Sequence, residues 1–172
     1  GGAQVSSSVV AYDQHDREAV KASLGADGQW VYSVTLFDAN SRPVRSSTPF
    51  RGGQTPYWTT NHYDSQGRLV LQTSPANEGD TTSVKRVAWW FYNLTTLQDN
   101  PLNHTSSKTT DVLGQTAYIS DNQGNHVVYQ YDAFGNLFNT KNGDHTTIKM
   151  TYDRLGRKVA MHDPDMGKWS YR

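Results

Sequence analysis

An aspartate recurs at positions 13, 38, 64, 111, 132 and 153. Such a ladder of carboxylates is raw material for general acid–base work or for binding a divalent cation. Each copy, however, carries its own turn signature. "YDSQGRL" (63–69), "YDAFGNL" (131–137) and "YDRLGRK" (152–158) place Tyr63, Tyr131 and Tyr152 before the Asp, and Gly67, Gly135 and Gly156 three residues after it. An Asp side chain accepts a hydrogen bond from the backbone two residues on, and Gly supplies the positive φ of a tight turn. The preferred reading is therefore that each carboxylate ties down its own turn. Arg42, Arg68 and Arg157 suit acidic ligands in principle, but pairing with turn carboxylates along a sheet is the simpler expectation.

Other chemistry is thinner. Among the six histidines, His126 and His145 both follow a linking-turn glycine, so adjacent hairpins could bring them together. They lack the close spacing of a structural zinc set, and the chain has no cysteine. "DPDMG" (163–167) lacks the remaining ligands of a calcium loop. No G-x-S-x-G, H-E-x-x-H or phosphate-binding glycine loop occurs. No cofactor or metal is expected. The aromatics leave two readings open. Tyr57, Trp58, Trp89 and Trp90, with Trp30, Phe91 and Trp169, either supply the core of a Leu-poor chain or, exposed on a sheet face, stack on sugar rings.

The elements that must position these residues follow from the register of the repeat. "TDVLGQT" (110–116) keeps Asp111 and Gly114. "FDANSRPV" (37–44) keeps Phe37 and Asp38, with Ser41 in the glycine slot. "YDQHDREAV" (12–20) keeps Tyr12 and Asp13, with Asp16 in that slot, and "YNLTTL" (92–97) is the poorest copy. The Asp/Asn spacings are 25, 26, 29, 18, 21 and 21, so the last copies are regular and the first half carries insertions. Between copies, Gly-containing polar turns lead into alternating runs. Val127, Tyr129 and Tyr131 share one face, as do Ile148, Met150 and Tyr152, which is the half-buried strand signal. The pattern predicts an all-β chain of successive antiparallel hairpins, with repeat turns near 12–17, 37–42, 63–68, 92–97, 110–115, 131–136 and 152–157. Within 81–97, Val84, Val87, Ala88 and Phe91 recur at helical spacing, yet their β-branched and aromatic character favours a strand.

Composition agrees. Lys plus Arg and Asp plus Glu number 16 each, and no basic stripe argues for a nucleic-acid partner. No apolar run approaches the roughly 18 residues of a membrane span. Residues 1–7 read as a flexible lead-in and 8–172 as a repeat array that is part of a longer protein. The exposed edges of an isolated strip predict self-association.

Quoted together, "YDSQGRLV", "YDAFGNLF" and "YDRLGRKVAMHDPDMGKWSY" resemble the YD repeats of the Rhs family, which includes bacterial polymorphic toxins, Tc toxin B and C components and teneurins. The resemblance covers essentially residues 8–172, most divergently at 74–109. It implies β-hairpins winding into a spiralling sheet, a strip of a shell that encloses or presents a toxin or effector, within a large secreted or cell-surface bacterial protein. This segment would be non-enzymatic, with the other repeats and domains of its parent protein as partners. The alternative is a module that binds carbohydrate or a cell surface through exposed Trp and Tyr. The family's self-cleaving aspartate site is not carried onto Asp163 or Asp165, which lie in an ordinary linking turn.

Overall fold

A computed structural model describes residues 7–77 and 83–171. The expected lead-in at 1–7 lies outside them apart from Ser7. The described residues form strands and turns without a helix. In chain order the strands are β1 (Ser8–Tyr12), β2 (Glu18–Leu24), β3 (Trp30–Phe37), β4 (Pro43–Ser47), β5 (Phe50–Arg51), β6 (Trp58–Tyr63), β7 (Leu69–Pro75) and β8 (Val84–Tyr92). They continue as β9 (Thr95–Asp99), β10 (Thr105–Thr110), β11 (Thr116–Ser120), β12 (His126–Tyr131), β13 (Leu137–Asn142), β14 (Thr147–Tyr152), β15 (Lys158–Asp163) and β16 (Gly167–Ser170).

The hydrogen-bonding order follows the chain, each strand beside its sequence neighbours in antiparallel pairs. The exception is β5, which leaves this path and pairs with β3 through Val31–Arg51 and Tyr32–Phe50. The longer spacing in the first half is thus partly a short extra strand, with the Phe50 ring 5.9 Å from that of Tyr32. The chain divides into two compact units, residues 1–88 and 89–172, with β8 running across the division.

The segment with helical spacing is a strand, because its backbone groups are taken up by a neighbour: Leu71 pairs with Ala88, Gln72 with Val87 and Thr73 with Arg86. In the second unit the alternation foreseen for β12 and β14 separates two faces. Directly opposed residues share a face, and Tyr129 and Ile148 both lie opposite Thr140, while Met150 lies opposite Met161. The other face carries Gln130, Asn139, Lys149 and His162. This part of the sheet is amphipathic, yet among the described residues no second layer packs on it. Among the described residues Ala88 is the one buried apolar side chain, at 3% exposure. A sheet hydrophobic on one face ordinarily buries that face against another element.

Candidate functional site

The repeated Asp residues all sit in one kind of turn. In the first copy, the Asp13 Oδ1 accepts from the backbone N–H of His15 at 2.8 Å and of Arg17 at 3.1 Å. The Asp13 N–H donates to the Arg17 carbonyl at 2.9 Å and the Asp16 N–H returns to the Asp13 carbonyl at 3.1 Å. The same set recurs at Asp38, Asp64, Asp111, Asp132 and Asp153. The fourth turn residue is left-handed throughout: φ is 81° at Gly67 and Gly114, 86° at Gly135, 75° at Gly156, 56° at Asp16 and 60° at Ser41. Each hairpin then slips register at the residue before the Asp, at Tyr12, Phe37, Tyr63, Thr110, Tyr131 and Tyr152. This is a type I turn closed by a left-handed bulge residue.

The poorest copy is different. Asn93 and Leu94 form a two-residue turn between β8 and β9, and Asn93 alone of the pair has positive φ, 51°. With no Asp and no glycine slot, the repeat turn expected near 92–97 is this shorter one and lacks the Asp-anchored geometry of the other copies.

The side chain four after the Asp fastens the turn in most copies, and at Arg17, Arg42 and Gln115 it reaches the next one. Arg17, Arg42, Arg68 and Arg157 each donate from Nε to their own Asp Oδ2 at 2.7–2.8 Å. Asn136 donates from Nδ2 to Asp132 Oδ2 at 3.0 Å. Arg17 continues to the Asp38 carbonyl at 3.0 Å and to Ser41 Oγ at 3.1 Å, with its guanidinium 4.7 Å above the Phe37 ring. Arg42 lies 4.6 Å above Tyr63, and Gln115 Nε2 donates to the Gly135 carbonyl at 3.1 Å. The tyrosines work backwards along the chain. The Tyr63 hydroxyl donates to the Pro43 carbonyl, that of Tyr131 to Thr116 and that of Tyr152 to Leu137, at 2.8–2.9 Å. Each accepting residue opens the return strand of the preceding hairpin. Side chains thus bind neighbouring repeats in both directions.

The electrostatics follow from these contacts. The Arg17 guanidinium, helped by backbone N–H groups, lowers the Asp13 carboxyl to about 2. Backbone N–H donation by Arg42, Arg68 and Arg157 is the largest cause that holds Asp38, Asp64 and Asp153 below the usual carboxylate range, with the guanidinium adding to it. The Asn136 amide is the first cause for Asp132. Burial pushes the Tyr131 hydroxyl upward.

Sequence reasoning missed that the opposite edge of the sheet uses the same turn. Asn100, Asp121 and Asn142 each donate N–H to the carbonyl four residues on and accept the returning N–H from residue i+3. Asn100 and Asp121 also accept at Oδ1 from two N–H groups. These positions are 21 residues apart, in step with Asp111, Asp132 and Asp153. The left-handed slot holds Asn103, Gly124 and His145. His126 and His145 are therefore not equivalent: His126 starts β12, whereas His145 occupies the bulge slot. His126 stacks on Tyr118 at 5.6 Å between ring centres, and its Nδ1 lies 3.1 Å from the Gly124 carbonyl. No group of three or more His, Asp or Glu suited to a metal occurs among the described residues.

The four aromatics considered for sugar binding are dispersed. Tyr57 and Trp58 are half-buried in the first unit beside a recess of about 290 Å³, with Arg45 4.6 Å above the Trp58 ring. Trp89 and Trp90 are successive residues of β8 and so point to opposite faces. Trp90 is 36% exposed, whereas Trp89 lines an open recess of about 990 Å³ in the second unit with Gln98, Lys108, Asn125, His126 and Asp144.

No family model matches this sequence, and no curated protein does. Solved structures do. TcdB2-TccC3 without its hypervariable C-terminal region superposes with a TM-score of 0.74 at 15% identity, over 96% of this chain. TcdB2-TccC3-Cdc42 gives 0.73 at 15% identity and the Photorhabdus luminescens Tc holotoxin pore 0.72 at 16%, each again over 96% of this chain. This chain shares the fold of a segment of those chains. It spans about 11% of the length of each. The Rhs resemblance carried by the repeats and the likeness in fold agree. At this identity most side chains differ, so the likeness lies in the hairpin meander itself.

Proposed function

We propose that this chain is a structural YD-repeat segment of a large Rhs-type protein, a strip of a β-shell wall that encloses or presents a toxin or effector. The observation that carries the reading is an amphipathic sheet with Ala88 as the one buried apolar side chain among the described residues, fastened hairpin to hairpin by Arg, Gln and Tyr. Walls need rigidity along the sheet and a second surface to cover the apolar face. The reading includes no catalytic role. In support, the repeated carboxylates are saturated by their own turns, and those held low in pKa remain ionised and are poor proton carriers near neutrality. The parent protein would be secreted or displayed on the bacterial surface, with its other repeats and domains as partners.

The absence of cysteine gives a direct test. Single cysteines at Ile148 and Lys149 report opposite faces of β14 to a maleimide. In the isolated chain both react. In the parent protein a wall leaves Lys149→Cys reactive and protects Ile148→Cys. Equal reactivity of both in the parent overturns the reading.

A second reading rests on Trp89. A ring beside amides, a lysine and a carboxylate in an open recess is chemistry suited to a saccharide. Quenching of Trp fluorescence by a glycan panel, lost in Trp89→Ala, would support it. A panel without a response removes it.

A further inference from the structure

The turns along one edge of the second unit end in apolar side chains. Two residues after the Asp stand Leu113, Phe134 and Leu155, at 79%, 92% and 78% exposure. Val112 beside Leu113 is 87% exposed, and Leu94 in the β8–β9 turn on the same edge is 46% exposed. The matching residues of the first unit are His15, Asn40 and Gln66, all polar. On the opposite edge of the second unit the equivalent residues are Leu102, Gln123 and Asp144. Turn geometry does not account for the difference, since His15, Asn40 and Gln66 donate the same N–H to the same Asp oxygen as Leu113, Phe134 and Leu155. Successive tips are two strand spacings apart, about 10 Å, so they form a ridge about 30 Å long.

We infer that this ridge is a contact surface for a second copy of the same chain, meeting ridge to ridge about a twofold axis. Three observations favour that occupant. The five side chains at these four tips expose roughly 600 Å² of apolar surface, as much as the largest patch on an ordinary monomer. Two such patches face to face bury about 1,200 Å², the lower bound of a specific interface. The ridge also carries its own complement. Beside the Phe134 knob is an open hollow of about 1090 Å³, with Phe138, Met150, Tyr152 and Leu155 on its apolar side and Asp132, Asp153 and Arg154 on its polar side, so each copy's Phe134 can enter the other's hollow against the apolar side. Finally, the carboxylates behind the tips are occupied by their own turns, which leaves Arg154, between Asp153 and Leu155, as the charged tip residue that a twofold contact must keep at its rim. This surface is distinct from the strand edges at β1 and β16, and it goes beyond a role as shell wall.

Sedimentation velocity on the full chain from about 1 to about 100 µM tests it. The wild type is expected to shift from monomer to dimer across that range. Phe134→Ser with Leu155→Ser weakens dimerisation at least about tenfold, while Val10→Lys on the β1 edge leaves it unchanged. Unaltered far-UV circular dichroism shows that the exposed tips were not needed for folding. A wild type that stays monomeric, a dimer that survives the tip substitutions, a dimer lost in Val10→Lys, or a monomer that binds phosphatidylcholine vesicles through Phe134 would each overturn the inference.

Discussion

Replacing Gly135 by alanine separates the two things that the left-handed turn residue does. Its φ of 86° costs an L-residue about 1–2 kcal/mol. An added Cβ would also lie 3.1 Å from Gln115 Nε2, the atom that donates to the Gly135 carbonyl. Gln115 must give way, and the lost bridge adds about 0.5–1.5 kcal/mol. Gly135→Ala is therefore expected to destabilise by about 1.5–3.5 kcal/mol. Gly114 has nearly the same backbone, with φ 81°, but nothing within 4 Å of the added Cβ. Gly114→Ala should show the backbone cost alone, about 1–2 kcal/mol. Urea unfolding gives both values as midpoint shifts at constant slope. In a Gln115→Ala background the two alanine substitutions should cost the same, since the contact that distinguishes them is gone. If Gly114→Ala is as damaging as Gly135→Ala in the wild type, the bridge contributes nothing. If Gly114→Ala is neutral, the positive φ is not what selects glycine.

The acid limb of stability should report the turn carboxylates. Asp13 is depressed to about 2, so its contribution is complete above the ordinary carboxylate range near 4 and is lost as pH falls from there through about 2. Arg17→Gln should move the Asp13 titration upward, read from its carboxyl carbon shift by NMR, and an unmoved midpoint would refute the assignment to Arg17. Tyr152→Phe deletes the hydroxyl bond to the Leu137 carbonyl and should cost about 0.5–1.5 kcal/mol by the same urea assay. Arg42→Lys keeps the charge near Asp38 but loses the planar group 4.6 Å above Tyr63, and should raise the hydrogen-exchange rate of the 64–68 turn amides more than Lys21→Ala does.

Much of a single turn was legible because its chemistry is local. Asp bonding two residues on, Gly at positive φ and Asp16 or Ser41 in the same slot follow from residue type and spacing alone. The pairing of Arg42, Arg68 and Arg157 with turn carboxylates follows too, since it closes within five residues. What crosses from one hairpin to the next was not legible. The reach of Tyr152 to Leu137 depends on the bulge at Thr151/Tyr152, which slips the register before the next strand begins. The second row was legible as polar linking turns but not as copies of the same motif. Asn100 and Asn103 make the same hydrogen bonds as Asp and Gly, so a search for D-x-x-G passes over that copy, and Asp121 with Gly124, which does match, lacks the preceding aromatic that marks the first row.

Those second-row turns change what the repeat is. With Asp111, Asp132 and Asp153 on one edge and Asn100, Asp121 and Asn142 on the other, the second unit is fastened along both margins by one device at one 21-residue period. Side-chain bridges on the first margin couple each turn to the next, at Gln115 to Gly135 and at Tyr152 to Leu137. A layer with no buried core among the described residues gains its order from such nearest-neighbour links, much as a solenoid does. The tip residues are released from that duty, because the turn is closed by backbone and carboxylate whatever stands two after the Asp. That freedom is why His15, Gln66 and Phe134 all occupy the same geometry, and why the tips are where one strip can differ from another in what it meets.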